Sequence, residues 1–214
     1  MNPRFAILGA AAILAGAPAF ADGFNDGLTT IQNEWDIANY QRADKARDDA
    51  FAALVEHAAA FRAQYPDRAE AAAWEGIVLS TYAGEVSAMS AMKYAKAARA
   101  ALERAETLDA TALEGGIYAS LGALYSKVPG GFMGFGDDDL AAEYFEKALA
   151  VNAANIDNNY FYGEFLIEQG DYEQARSLLE RALAAPTVTE RPVFDAGRRA
   201  EISDLLVVAR RKTS

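Results

Sequence analysis

The sequence predicts an all-α chain built from repeated helix hairpins, and three observations carry that expectation. One tetrapeptide pattern recurs as Leu102-Glu103-Arg104-Ala105, Phe145-Glu146-Lys147-Ala148 and Leu179-Glu180-Arg181-Ala182. Four residues before each copy stands Ala98, Ala141 or Ala175, so small and large apolar side chains share one helical face at i, i+4 and i+7. Further upstream, a glycine interrupts an aromatic and aliphatic stretch: Gly76 after Trp74, Gly122 after Leu121, Gly163 after Tyr162. No stretch of useful length alternates as a strand does.

The chain begins with Asn2, Pro3 and Arg4 ahead of an apolar run from Phe5 to Ala17, and Ala19-Phe20-Ala21 offers the small residues a signal peptidase needs. A cleaved leader over 1–21 is therefore expected. The run is well short of the roughly 20 residues a bilayer span requires. Loss of Arg4 and of no acidic residue takes the formal charge from -11 to -12. So acidic a surface repels phosphate backbones and anionic headgroups, which argues against nucleic-acid partners and stable membrane insertion. The chain has no cysteine, so it can form neither disulfides nor a lipidated cysteine after the leader. Export without an anchor predicts a free periplasmic protein.

Next come helix candidates from about Gly27 to Tyr40 and Ala43 to Tyr65, a loose hairpin over 27–65 closed by Pro66-Asp67. Its alanines fit the recurring pattern poorly. The three matched hairpins follow, over 69–109, 112–152 and 156–186. In each, a glycine on the first helix and an alanine on the second let the backbones approach while larger side chains fill the space beside them. The step from Gly163 to Leu179 is 16 residues, against 23 from Gly122 to Phe145 and 26 from Gly76 to Leu102. The two earlier hairpins are thus expected to carry insertions of seven and ten residues. After the polar stretch Thr187–Pro192, the residues Phe194, Ile202, Leu205, Leu206 and Ala209 line one side of a last helix over 193–211. It reads as a cap over the final hairpin, whose apolar face would otherwise meet water.

In the last hairpin, Gly163, the turn Gly170-Asp171-Tyr172, then Ala175, Leu179, Ala182-Leu183 and the closing Pro186 resemble the tetratricopeptide repeat. The predicted fold is accordingly a tetratricopeptide-like helix-hairpin solenoid of about four hairpins, two with insertions, plus a C-terminal capping helix. More narrowly, Leu124-Tyr125-Ser126-Lys127-Val128-Pro129-Gly130, Gly134-Phe135-Gly136-Asp137, Asn159-Tyr160-Phe161-Tyr162-Gly163 and Gly197-Arg198-Arg199-Ala200-Glu201-Ile202 resemble the T-component of TRAP-transporter-associated periplasmic proteins. That resemblance implies a periplasmic α-solenoid that docks a solute receptor and helps pass a hydrophobic or organic-acid ligand toward a transporter. It also implies homo-oligomers in some members. Members are often lipoproteins, and this chain departs from them in lacking the cysteine.

Two features stand out as candidate binding elements. The loop from Val128 to Asp139 places Phe132, Met133 and Phe135 among glycines, whereas loops are normally polar. These side chains can form a flap that contacts a ligand or partner, or fold back over the groove between hairpins, and the two are not exclusive. The second feature is the aromatic content of the first helices. Tyr82, Tyr118, Tyr160 and Tyr162 are candidates for a concave binding surface, Tyr160 and Tyr162 being expected to show a face to solvent. Trp74, Tyr125 and Phe165 are expected in the core. Asp137-Asp138-Asp139 reads as a helix start rather than a calcium loop, because it lacks alternating ligand spacing. Arg198 and Arg199 read as surface ion-pairing residues.

No catalytic residues, cofactor or metal site are expected. His57 is the single histidine, in the alanine-rich stretch Val55-Glu56-His57-Ala58-Ala59, and no G-x-S-x-G elbow exists. Two functions stay open: a periplasmic adaptor that binds a solute receptor or small ligand for a transport system, and a general protein-protein scaffold in envelope assembly. A deep enclosed pocket or pore lined by these tyrosines favours the first, and an open shallow groove the second.

Overall fold

Along the chain the hairpins run as α1 (Pro18–Gln41) with α2 (Asp44–Gln64), α3 (Ala69–Glu85) with α4 (Ala88–Asp109), α5 (Gly116–Lys127) with α6 (Asp138–Val151), and α7 (Ile156–Gln169) with α8 (Tyr172–Ala184), followed by α9 (Pro192–Lys212). The computed structural model describes residues 18–213. The expected leader lies outside them except for its last four residues, which open α1. Among the described residues no helix is long and apolar enough to cross a membrane.

Each recurring tetrapeptide meets the glycine that precedes it. A Cβ placed on Gly76 would lie 2.6 Å from Leu102 Cγ, on Gly122 2.8 Å from the Phe145 ring, and on Gly163 2.8 Å from Leu179 Cγ. Ala98, Ala141 and Ala175 are fully buried on the facing helices. Two small residues in each hairpin thus permit close backbone approach, and one large apolar side chain fills the gap between them. The loose first hairpin uses the same device with other partners, since Gly27 of α1 abuts the Phe61 ring of α2.

The two long steps have different structural causes. Between α5 and α6 the extra residues form the loop expected there. Between α3 and α4 there is no inserted loop: only Val86 and Ser87 separate the helices, and the extra residues lengthen them to 17 and 22 residues. Extra turns at the hairpin tip leave the Gly76–Leu102 contact undisturbed, because it lies well below the turn.

Polar groups close the ends where backbone donors would otherwise be orphaned. Asp137 caps α6 by accepting from Leu140 N at 3.0 Å, with Asp138 and Asp139 in the first turn opposing the positive end of the dipole. The reading of that aspartate run as a helix start therefore holds. Asn155 caps α7 in the same way. Asn158, wholly buried, donates to the carbonyls of Glu114, Ala148 and Asn152 and so pins the turn before α5, where Leu113 and Glu114 adopt left-handed backbone, to the end of α6.

The last helix does more than cover α8. It reaches α1, and the first helices of the successive hairpins, α1, α3, α5 and α7, each touch the next, with α9 touching both α7 and α1. These five helices form a closed inner ring, with α2, α4, α6 and α8 outside it. At the α1–α9 seam Gly197 lies against the Tyr40 ring with no space for a Cβ.

Candidate functional site

A chamber of about 800 Å3 lies inside the ring and takes wall residues from all five inner helices. Its apolar surface comes from Trp35, Trp74, Ile77, Leu124, Tyr160, Phe161 and Phe194, and its charged groups from Arg47, Lys127, Arg191 and Arg198 with Glu114, Asp157, Glu164 and Glu201. Trp35 donates through Nε1 to Thr81 Oγ1 at 3.1 Å. The corresponding nitrogen of Trp74 is buried without a partner, an unmet donor in the chamber wall.

Arg198 is the centre of the charged wall. Its residue is 4% exposed, so the expectation of a surface arginine is corrected. Nη1 donates to Glu201 Oε2 at 2.7 Å, and Nε lies 2.8 Å from Asp157 Oδ1 in a direction too far off the N–H axis to count as a hydrogen bond. The guanidinium stands 4.0 Å from the centre of the Tyr160 ring and 4.9 Å from that of Phe161. Burial by itself would lower the Arg198 pKa, but Asp157, Tyr40 and Glu201 outweigh burial and hold it above its ordinary value. Glu201 also accepts from Tyr40 Oη at 3.1 Å across the seam. Burial pushes the Glu201 carboxyl up, against the opposing pull of Arg198.

A second seam contact stands beside it. Arg191 donates from Nε and Nη2 to the two oxygens of Asp36 at 3.0 and 2.5 Å, a two-pronged pair in which Asp36 is almost wholly buried. Arg199, by contrast, faces away from the chamber and donates to the carbonyls of Leu183, Ala185 and Pro186, tying the end of α8 to α9. Each arginine read from sequence as a surface residue is therefore a structural link.

The candidate aromatic residues separate into three places. Phe132 and Met133 stand fully in solvent at the tip of the loop, at 104% and 74% exposure. Their short turn, Gly131–Met133, is pinched at its neck by a bridge between Gly130 and Gly136, where the absence of side chains lets the two strands of the loop meet. Phe135 folds back instead, edge-on to Tyr125 at 5.5 Å with Arg99 4.3 Å above its ring. Phe135 thus covers the core, as the second reading of the loop has it, while Phe132 and Met133 are left exposed. Tyr82 packs on Tyr94 and Tyr118 on Tyr144, both half-buried outside the chamber.

Tyr160 and Tyr162 are each 7% exposed, so the expected solvent-facing surface is corrected for both. Tyr160 joins the chamber wall, while Tyr162 stacks on Phe145 at 5.3 Å in the core between hairpins. The physical reason is helical phase: two residues apart is about 200° around the axis, so the two rings cannot share a face. Trp74, Tyr125 and Phe165 are buried, as the sequence suggests. Sequence reasoning missed Trp35, Arg191, Asp36 and Asp157. Phe161 and Glu201 stand in two motifs the sequence brought forward, Asn159–Gly163 and Gly197–Ile202.

His57 sits half-exposed on α2 with Nδ1 2.7 Å from Glu34. Among the described residues no group of three or more His, Asp or Glu side chains gathers where a metal ion could bind.

Burial also shapes the tyrosines. Tyr144 is pushed up to about 12, first by burial and then by nearby Glu106, and burial raises Tyr40 and Tyr160 as well. For an acid whose folded pKa is raised, the unfolded chain loses its proton first, so stability is full below about pH 10 and falls as pH rises through the folded value. An alkaline spectrophotometric titration of phenolate is expected to show a delayed group of tyrosines, with chemical-denaturation stability falling above about pH 10. A single unshifted phenolate step with unchanged stability contradicts this.

A ring of helix hairpins about a concave chamber defines a tetratricopeptide-like helical repeat protein. Residues 132–190, which hold the loop tip, α6 and the whole α7–α8 hairpin, match the tetratricopeptide repeat family. The fold is similar to that of a thermophilic TPR protein of Thermus thermophilus, with a TM-score of 0.56 and 16% identity, covering 88% of this chain and 94% of that one. A solved MamA protein aligns over 87% of this chain and 92% of its own with 18% identity and a TM-score of 0.44. No curated protein matches the sequence.

Proposed function

We propose that this protein is a non-catalytic periplasmic adaptor that holds a small organic ligand in its central chamber and docks a solute receptor of a TRAP-type transport system. The observation that carries the ligand half is the chamber itself, a half-open cavity of about 800 Å3 lined by all five inner helices, with Tyr160 the one candidate tyrosine in its wall. The motifs that resemble the T-component fall on the same features. Tyr160 and Phe161 stand in the chamber wall, Arg198 and Glu201 in the wall and the α1–α9 seam, and the Gly134–Asp137 segment in the neck of the loop.

The docking half rests on Phe132 and Met133. Two large apolar side chains held in solvent on a pinched loop are unfavourably hydrated unless a partner covers them. Tetratricopeptide repeats commonly bind other proteins, which agrees with this role.

Native mass spectrometry of the protein gently extracted from its own periplasm tests the proposal. A bound small molecule together with a solute receptor is the expected result, and recovery of outer-membrane assembly proteins alone contradicts it in favour of the general scaffold. The joint substitution Phe132→Ser and Met133→Ser is expected to abolish receptor capture while changing stability by no more than about 0.5 kcal/mol. Phe135→Ser is expected to cost about 1–3 kcal/mol, because its ring packs on Tyr125.

A further inference from the structure

We infer that the chamber selects a ligand bearing a positively charged nitrogen on an apolar body, rather than a carboxylate. The inference rests on the reading of the chamber as the ligand site, and departs from the organic-acid ligand that family resemblance implies.

Every cation in the wall already has a carboxylate beside it. Arg47 donates to Glu85 at 3.0 Å and to two oxygens of Asn39 at 2.6 and 2.9 Å, which occupies all three of its nitrogens. Lys127 lies between Glu164, at 3.4 Å, and Glu168. Arg191 holds both oxygens of Asp36, and Arg198 has Asp157 and Glu201 on either side. An incoming carboxylate therefore meets cations whose charge is already matched and adds repulsion from the carboxylates that match it.

The carboxylates are not committed to the same degree. The four wall cations face Asp36, Glu85, Asp157, Glu164, Glu168 and Glu201, while Glu114 accepts only from an amide, Asn152 Nδ2, at 3.0 Å. The wall itself carries four cations and four carboxylates, and Asp36, Glu85 and Glu168, which pair with those cations from outside the wall, make the network net negative. Glu201 uses Oε2 for both Tyr40 and Arg198, which leaves Oε1 without a hydrogen-bond partner among the described residues. In a chamber of reduced dielectric a carboxylate oxygen left without a hydrogen bond attracts a cation more strongly than it does in water.

The aromatic wall has the same preference. Ring faces carry negative charge density, and Trp74 and Tyr160 already seat the guanidinium groups of Arg191 and Arg198 at 5.1 and 4.0 Å. Trp35 stands in the wall nearly perpendicular to Trp74 and Tyr40 and adds ring surface for the body of the ligand.

Three probes of one shape test the sign of the charge: 4-phenylbutylamine, 4-phenylbutanol and 4-phenylbutyrate, titrated at neutral pH into the mature protein. Both tryptophans of the chain line the chamber, so their fluorescence reports occupancy directly, with calorimetry as the check. The expected order is amine, alcohol, acid, with the amine at least about tenfold tighter than the acid. In the joint variant Glu201→Gln and Glu164→Gln, confirmed folded by circular dichroism, that preference is expected to fall below about threefold. Acid binding as well as or better than amine overturns the inference and leaves the chamber as a ligand site. A preference unchanged in the folded variant also overturns it, since these carboxylates then do not set it. If none of the three probes binds, both the inference and the ligand reading of the chamber fall.

Discussion

Phe145→Ala is expected to lower the unfolding free energy by about 3–5 kcal/mol, moving the thermal midpoint down by about 6–20 °C for a domain of this size. The size of the effect follows from what the ring touches. Phe145 is wholly buried, fills the space over Gly122, and stacks against Tyr162 at 5.3 Å and Phe165 at 5.4 Å. It therefore joins α5, α6 and α7, and removing it leaves a cavity shared by two successive hairpins. The neighbours cannot readily close that cavity, because Gly122 has no side chain to offer. A loss below about 1 kcal/mol in urea denaturation would show that α6 relaxes onto α5 and that the glycine contact is not the packing constraint described above.

The second large effect belongs to the seam. Arg191→Ala strands Asp36, at 1% exposure, as a buried carboxylate without its partner, and is expected to cost about 3–5 kcal/mol at neutral pH. Burial already raises the Asp36 pKa, and Arg191 opposes that rise through its hydrogen bond and its charge. Without Arg191 the folded pKa rises further. The sign follows: stability from a raised carboxyl is fully present below its unfolded pKa and is lost as pH rises through the folded one, so the defect is expected to shrink on acidification. The double variant Asp36→Leu with Arg191→Met is expected to recover much of the loss, since an apolar pair replaces a desolvated ionic one. Equal destabilisation by the single and double variants would assign the effect to lost packing of Arg191 on Trp74 and Phe194 instead, where its guanidinium lies 5.1 and 4.3 Å from the ring centres.

How legible each of these features was in the sequence depends on the range of the interaction. The contact of Gly122 with Phe145 has a local cause and recurs, at Gly76 with Leu102 and at Gly163 with Leu179, so its periodicity exposes it. The Asp36–Arg191 pair spans 155 positions and occurs once. In a chain carrying 31 acidic and 20 basic residues, nothing in the composition separates that pair from a solvated one. Ring closure was invisible for the same reason, and with it the chamber. The loop was half legible: its composition announced an unusual element, but only the three-dimensional neck at Gly130 and Gly136 decides that Phe132 turns outward and Phe135 inward. Tyr162 was misplaced because aromatic content was read without helical phase. The family match over 132–190 follows the same rule, as it contains the one hairpin with the standard 16-residue step.

Closure of α9 onto α1 changes how the hairpins share stability. In an open array each end unit has one neighbour, so ends fray, truncations are graded, and repeats can be added or lost at either terminus. Here the terminal helices are each other's neighbours. The circle has no end from which unfolding can begin at little cost, and melting is expected to be a single cooperative event rather than a progression along the chain. An added hairpin would have to open the α1–α9 seam or widen the ring, and either costs the contacts that close it here.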